Sequence, residues 1–134
     1  MTKRWTRGVV AGAVLAFCGG CGLPCGDAPA RAEVFAPGTL SDPREQWRIT
    51  FTPDGRTAYF AASDGFFPFT RQATIYVSHR AGAGAGWSTP EVAPFSGEHP
   101  DIDPFVSRDG RRLYFSSIRP VDGTLRGDAD LWMV

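Results

Sequence analysis

Thr52-Pro53-Asp54-Gly55-Arg56-Thr57-Ala58-Tyr59-Phe60 returns as Ser107-Arg108-Asp109-Gly110-Arg111-Arg112-Leu113-Tyr114-Phe115. The repetition decides how the rest of the chain is read, because self-similarity points to a repeat architecture before any single motif does. It extends further along the chain: Ala73-Thr74-Ile75-Tyr76-Val77 matches Ala129-Asp130-Leu131-Trp132-Met133. Asp54-Gly55 and Asp109-Gly110 are two-residue hairpin signals, since Asp and Gly tolerate the positive φ that a tight turn needs. Ile49-Thr50-Phe51 and Phe105-Val106-Ser107 lie before the turns, and Ala58–Ala61 and Leu113–Ser116 lie after them. These short runs, rich in aromatic and β-branched residues, are expected strands. A third strand is expected at Thr74–Ser78 or Asp130–Val134, and a fourth around Glu91–Phe95. No stretch shows a sustained 3.6-residue apolar period, so the expected class is all-β, built from four-stranded antiparallel units.

A third echo lies upstream. Glu33-Val34-Phe35-Ala36-Pro37-Gly38 resembles Glu91-Val92-Ala93-Pro94-Phe95-Ser96-Gly97. It reads as an orphan outer strand placed ahead of the first complete unit. The division expected is a leader at 1–32, the outer strand and a linker at 33–46, a first unit at 47–97 and an incomplete second unit at 98–134. An alternative is a small β-domain in which residues 33–38 pair with 129–134.

Tandem four-stranded units suggest β-propeller blades. The residues resemble the TolB-like, WD40-like propeller repeat of bacterial envelope proteins. The motifs that carry the resemblance are Ser/Thr-x-Asp-Gly-Arg-x-x-Tyr-Phe at 52–60 and 107–115, with Asp54, Gly55, Tyr59, Phe60, Asp109, Gly110, Tyr114 and Phe115 as its repeated positions. Ile75-Tyr76-Val77, Leu131-Trp132-Met133 and the stretch from Gly86-Trp87 to Val92 add to it. The second copy departs at Arg108, where the first has Pro53; without a fixed φ the second turn is expected to be less rigid. The resemblance covers about residues 33–134 and implies some one and two-thirds blades. A ring needs about four to eight, so the chain reads as part of a longer propeller, with open blade faces expected to self-associate.

The composition fits this reading. Glycine and proline make 27 of 134 residues, and aromatics 13%. The first is too high for a helical bundle, the second too high for a disordered tail. Formal charge is zero, which removes the basic footprint of a nucleic-acid binder. That total includes the N-terminus. Lys3, Arg4 and Arg7 precede an uncharged, mostly apolar run from Gly8 to Gly20. The run is too short for a membrane span and fits a secretory signal, with small-residue cleavage sites at Ala28-Pro29-Ala30 and Ala30-Arg31-Ala32. Removal through Ala32 takes away Lys3, Arg4, Arg7, Arg31 and Asp27, leaving 10 basic against 13 acidic residues. Cys18, Cys21 and Cys25 all lie before Ala32. Either they leave with the signal, or Cys21 or Cys18 is lipidated and becomes the new N-terminus; that anchor is the one expected membrane contact. The expected location is periplasmic or secreted, or lipid-anchored to the envelope.

Candidate sites are sparse. In Glu98-His99-Pro100-Asp101-Ile102-Asp103, the carboxylates of Asp101 and Asp103 offer oxygen ligands to a hard cation; the plainer reading is a connector whose aspartates cap turns. His99 and His79 are the only imidazoles. Ser96-Gly97 lacks the Gly-x-Ser-x-Gly elbow of a hydrolase, and zinc-type spacing is missing. Trp47, Trp87 and Trp132 offer stacking faces for a sugar ring or, more simply, packing. Gly82-Ala83-Gly84-Ala85-Gly86 reads as a flexible loop, since no helix follows it to bind a phosphate. Phe66-Phe67-Pro68-Phe69 reads as a loop whose rings tuck under the blade or, alternatively, form an exposed contact patch. No cofactor, metal or catalytic group is expected. The function expected is a non-catalytic exported propeller module that binds a protein or envelope component. The alternatives are the propeller part of a longer prolyl-oligopeptidase-like hydrolase, and a glycan-binding propeller.

Overall fold

The computed structural model describes residues 31–65, 72–124 and 127–134. All regular structure among them is β, and residues 34–134 form one compact unit. Seven strands occur in chain order: β1 Glu45–Phe51, β2 Thr57–Ser63, β3 Thr74–His79, β4 Glu91–Val92, β5 Asp101–Val106, β6 Leu113–Ser117 and β7 Asp130–Met133. They make two antiparallel meanders, β1-β2-β3-β4 and β5-β6-β7. The strands expected within the two repeated units form, with one shortened: the fourth pairs only Glu91 and Val92 with Val77 and Tyr76.

The upstream echo takes another form. Residues 33–38 make no strand; Ala36 accepts backbone bonds from Thr39, Leu40 and Ser41, and Pro37 makes a single bridge to Ser41. Nor do they pair with 129–134, whose strand β7 pairs with β6. A strand needs a neighbour with free backbone groups. Glu91-Val92 has the edge of β3 beside it, and Glu33-Val34 has no such edge among the described residues. What the two segments share is the turn that follows. Ala36 begins one, and Ala93 accepts from Ser96 to begin the other.

The Asp-Gly turns differ from the expected two-residue hairpins. Residues 52–56 connect β1 to β2, and only Gly55 has positive φ (67°). The Gly55 amide donates to the Thr52 carbonyl at 2.8 Å, as in a turn with Pro in its second place and Gly in its fourth. Side chains complete the loop. Thr52 Oγ1 donates to Asp54 Oδ1 at 2.6 Å, which also accepts from the Arg56 amide, and the Thr57 amide donates to Thr52 Oγ1. The second copy repeats each bond: Ser107 Oγ to Asp109 Oδ1 at 2.6 Å, the Arg111 amide to Asp109, and the Arg112 amide to Ser107 Oγ. A short hydroxyl two places before Asp is therefore as much a part of the motif as Asp-Gly. The hydroxyl and the carboxylate take up amides that a tighter hairpin would pair in its ladder.

Each first strand also carries a bulge at the same place in the repeat. The register shifts between Trp47 and Ile49 and again between Ile102 and Phe105. Arg48 (φ 31°) and Asp103 (φ 55°) occupy these bulges in left-handed conformations. They face each other, with Arg48 Nε 3.4 Å from Asp103 Oδ1.

The sheets pack face to face. Ala61, Ile75, Val77 and Ala93 from the first unit meet Val106, Leu113 and Phe115 from the second, with Trp47, Tyr59, Phe95 and Trp132 around them. Phe95, from the turn after β4, lies between Tyr59 (6.4 Å between centroids) and Phe115 (5.1 Å). Burial of a side chain such as Phe115 stabilises by about 1.5–3 kcal/mol. The opposite face of the first sheet carries Ala58, Phe60 and Ala62, covered by Leu40, Ala36 and Trp87. Strand β2 is thus apolar on both sides, because both its faces are covered.

Candidate functional site

The Asp-Gly turns mark one end of the sheets. The other end carries a polar recess. There the segment before β1, the end of β2, the start of β3 and the connector from β4 to β5 surround a recess of about 310 Å³. Arg44, Ser63, Gln72, Thr74, Glu98 and His99 line it. Arg44 holds its place through two partners: its Nη2 lies 2.6 Å from Asp42 Oδ2, and its guanidinium sits 4.3 Å above the Tyr76 ring. Hydrogen bonds from Arg44 hold the Asp42 carboxyl below the usual carboxylate range. The Gln46 amide ties this segment to the sheet by donating to the Leu40 carbonyl at 2.8 Å and to Asp42.

Beneath the connector lies a buried ion pair. Asp101 is 0% exposed. Its Oδ1 accepts from Arg119 Nη2 at 2.8 Å, and its Oδ2 from Ser96 Oγ at 2.7 Å. Arg119 donates further to the Phe95 carbonyl and to Ser117 Oγ, and its guanidinium lies over the rings of Phe115 and Trp132. Ser96 Oγ accepts from the Ile75 amide at 3.0 Å. One network thus joins β3, the connector, β5 and the residues after β6. A buried carboxylate is tolerated when it is paired and its lone pairs are used.

The expected cation ligands are therefore divided. Asp101 begins a strand and points into the ion pair; Asp103 sits at the bulge with Arg48; His99 lines the recess. Both aspartates lie within β5 and each faces an arginine, Asp101 meeting Arg119 and Asp103 meeting Arg48. The bulge is the reason: it turns Asp103 away from the face it would share with Asp101 in a regular strand. No group of three or more His, Cys, Asp or Glu able to hold a metal occurs among the described residues. Ser96, weighed in the sequence as a nucleophile, is a hydrogen-bond bridge.

The repeated positions are architectural. Asp54, Gly55, Asp109 and Gly110 build the turns. Tyr59 packs between the sheets with Phe115, and Phe60 stacks on Tyr76 at 5.9 Å. Tyr114 lies on the outer face of the second sheet, beside Phe105 and Met133. Trp47 and Trp132 pack on the core between the sheets. Trp87 packs on the opposite face, with the Arg80 guanidinium 4.5 Å above it. His79 ends β3, its Nδ1 3.1 Å from Thr57 Oγ1. Residues 82–85 form turns and bends between β3 and β4. Cys18, Cys21, Cys25, the signal-like segment up to residue 30 and Phe66-Phe67-Pro68-Phe69 lie outside the described residues. No helix among the described residues is long and apolar enough to cross a membrane.

Sequence reading missed Arg119, Arg44 and Asp42. The signal for Arg119 was indirect. Asp101 stands opposite Ser117 across β5 and β6, so an arginine two places beyond Ser117 is within reach, but only once the register is known. Comparison with family models, curated proteins and solved structures finds no match for this chain.

Proposed function

We propose that this chain is an exported, non-catalytic β-propeller-type module that binds a protein or envelope component through the polar recess at the end of its sheets away from the Asp-Gly turns. The carrying observation is the recess lined by Arg44, Gln72, Glu98 and His99, at the end away from the Asp-Gly turns. Its guanidinium, imidazole, carboxylate and amide suit a polar ligand recognised by hydrogen bonds and charge. The propeller reading is supported by two units with the same turn network, the same bulge and face-to-face packing. Export is supported by the positive, then apolar N-terminal sequence, with Cys21 or Cys18 as the point of lipidation if an anchor is added.

The test is site-specific photo-crosslinking in the envelope of a producing bacterium. A photoreactive residue at position 98 or 99 should give a discrete adduct. The same residue at position 123, in an exposed turn away from the recess, should give none. Equal labelling from both places would overturn the reading.

A further inference from the structure

We infer that the Asp-Gly end of the two sheets is a docking surface for an anionic lipid bilayer, which holds the recess at the opposite end away from the membrane. The surface shares no residue with the recess, so the inference goes beyond the ligand proposed above and is tested apart from it.

Charge is unevenly placed along the chain. After Ala32 the sequence has 10 basic and 13 acidic residues. The two turns and the residue after β3 hold five of those basic residues, Arg56, Arg80, Arg108, Arg111 and Arg112, and two of the acidic ones, Asp54 and Asp109. Both carboxylates are engaged within their own loops, each accepting from a hydroxyl and a backbone amide. Glu91 stands opposite Val77, on the outer edge strand. Arg80 folds back on the first turn: its Nε donates to the Gly55 carbonyl at 2.7 Å. The other four arginines are exposed, and none of them makes an ion pair among the described residues. Gly110 is stacked on the Pro53 ring, which brings the two turns and their arginines to one place. A positive end on a chain whose remainder is acidic attracts an anionic partner.

Three observations favour a bilayer over a soluble anion. The first is the spread of the charges. Arg56 rides on one loop and Arg108, Arg111 and Arg112 on the other, an arrangement that matches a plane of headgroup phosphates. The second is the apolar company. Phe51 ends β1 directly before the first turn. Phe35 packs on it edge-on at 5.9 Å between centroids, and Trp87 packs on it at 5.8 Å. Trp87 in turn carries the Arg80 guanidinium. Phe35 remains 51% exposed and Val34 69%. A soluble anion makes no use of rings beside its arginines. The bilayer surface takes both, aromatic side chains at the headgroup level and basic side chains at the anionic lipids. The third is connectivity. The compact unit begins at Val34, so the sequence that bears the apolar run from Gly8 to Gly20, with Cys18 and Cys21, joins it beside this surface. A single lipid chain binds a membrane only reversibly, and a basic patch is the second signal that makes attachment stable.

The test is co-sedimentation of the full chain with vesicles of phosphatidylcholine alone and of an equal mixture of phosphatidylcholine and phosphatidylglycerol. Every sample carries Lys3→Gln, Arg4→Gln and Arg7→Gln, which takes the N-terminal charges out of the comparison. In that background the chain should bind the anionic vesicles more tightly than the neutral ones, and the excess should shrink as salt rises. Arg111→Gln with Arg112→Gln should weaken binding to the anionic vesicles about 25-fold, at about fivefold for each charge near the surface. Binding to the neutral vesicles should not change. Arg56→Gln with Arg108→Gln should act alike, so that the outcome does not hang on the folding of one turn. Phe35→Ser should weaken binding to both kinds of vesicle. Arg48→Gln, at the bulge, should leave binding as it was. Equal binding to the two kinds of vesicle overturns the inference, as does full binding by both arginine pairs. An equal loss from Arg48→Gln overturns it too, since net charge alone would then suffice. Soluble polyphosphate bound as tightly as the anionic vesicles, with no loss from Phe35→Ser, would make this end a site for a soluble anion and overturn the bilayer.

Discussion

Gly110 lies directly against Pro53: a Cβ built on the glycine would stand 2.8 Å from the pyrrolidine Cδ. The two Asp-Gly turns, apart in sequence, are thus stacked in space, and the proline of one meets the glycine of the other. Gly110 is constrained twice, by its φ of 70° and by this approach. Gly55 also has positive φ, but an added Cβ there would meet only Arg80 Nη2, at 3.3 Å, the far end of a flexible side chain.

Gly55→Ala should cost about 1–2 kcal/mol, the ordinary penalty for a left-handed residue with a Cβ. Gly110→Ala should cost clearly more, because a proline ring cannot swing aside. Urea unfolding of both variants checks the order. Pro53→Ala in the Gly110→Ala background should bring the two closer; equal losses at both glycines would show that the stacking has no energetic weight.

Removing Asp101 should leave the Arg119 charge beneath the connector without its carboxylate. Asp101→Ala should lose about 3–5 kcal/mol, as when one partner of a buried pair is deleted. A double-mutant cycle with Arg119→Ala separates the pair from its surroundings, and its coupling energy should be well away from zero. Additive losses would mean that Ser96 and Ser117 satisfy the two groups independently.

The Asp54 and Asp109 carboxyls are held below the usual carboxylate range, first by the hydroxyls of Thr52 and Ser107 and then by the amides of Arg56 and Arg111. A depressed carboxyl contributes stability above its unfolded value of about 3.9. That contribution is lost as pH falls through the folded value. Carboxyl carbon NMR should show both groups titrating below about 3.9. Thr52→Ala should raise Asp54 alone, and Ser107→Ala should raise Asp109 alone. Unchanged titration in either variant would contradict the assignment of the hydroxyls.

Ile75 and Leu131 hold equivalent places in the repeat and opposite surroundings. In dilute solution Ile75→Ala should destabilise by about 2–5 kcal/mol. Leu131→Ala should stay within about 0.5 kcal/mol, as an exposed substitution does. Thermal melts at low concentration compare them directly. A large loss at Leu131 in the monomer would place it in a core that the structure does not show.

The strands were legible because each short apolar run is bounded by a turn whose residues declare themselves. The repeat made that reading firmer: Thr52 to Phe60 and Ser107 to Phe115 fold alike because each carries the hydroxyl, carboxylate and glycine its loop needs. Two local features escaped. The loop is longer than a two-residue hairpin because the Thr52 and Ser107 hydroxyls, outside the Asp-Gly pair, take part in it. Glu33-Val34 looks like Glu91-Val92, but strand formation depends on the neighbour and not on the dipeptide.

What the sequence determined by itself is the local: an all-β chain, the places of its turns, and two units of one pattern. These follow from side-chain period and backbone preference, which act over a few residues. The tertiary structure alone decided which face of each unit is covered, that Asp101 pairs with Arg119, that Asp103 meets Arg48, and that His99 lines a recess with Arg44. Those relations depend on register, on the bulges that re-aim single side chains, and on one sheet laid over another. Equivalent residues such as Ile75 and Leu131 therefore share a pattern in the sequence and differ wholly in burial.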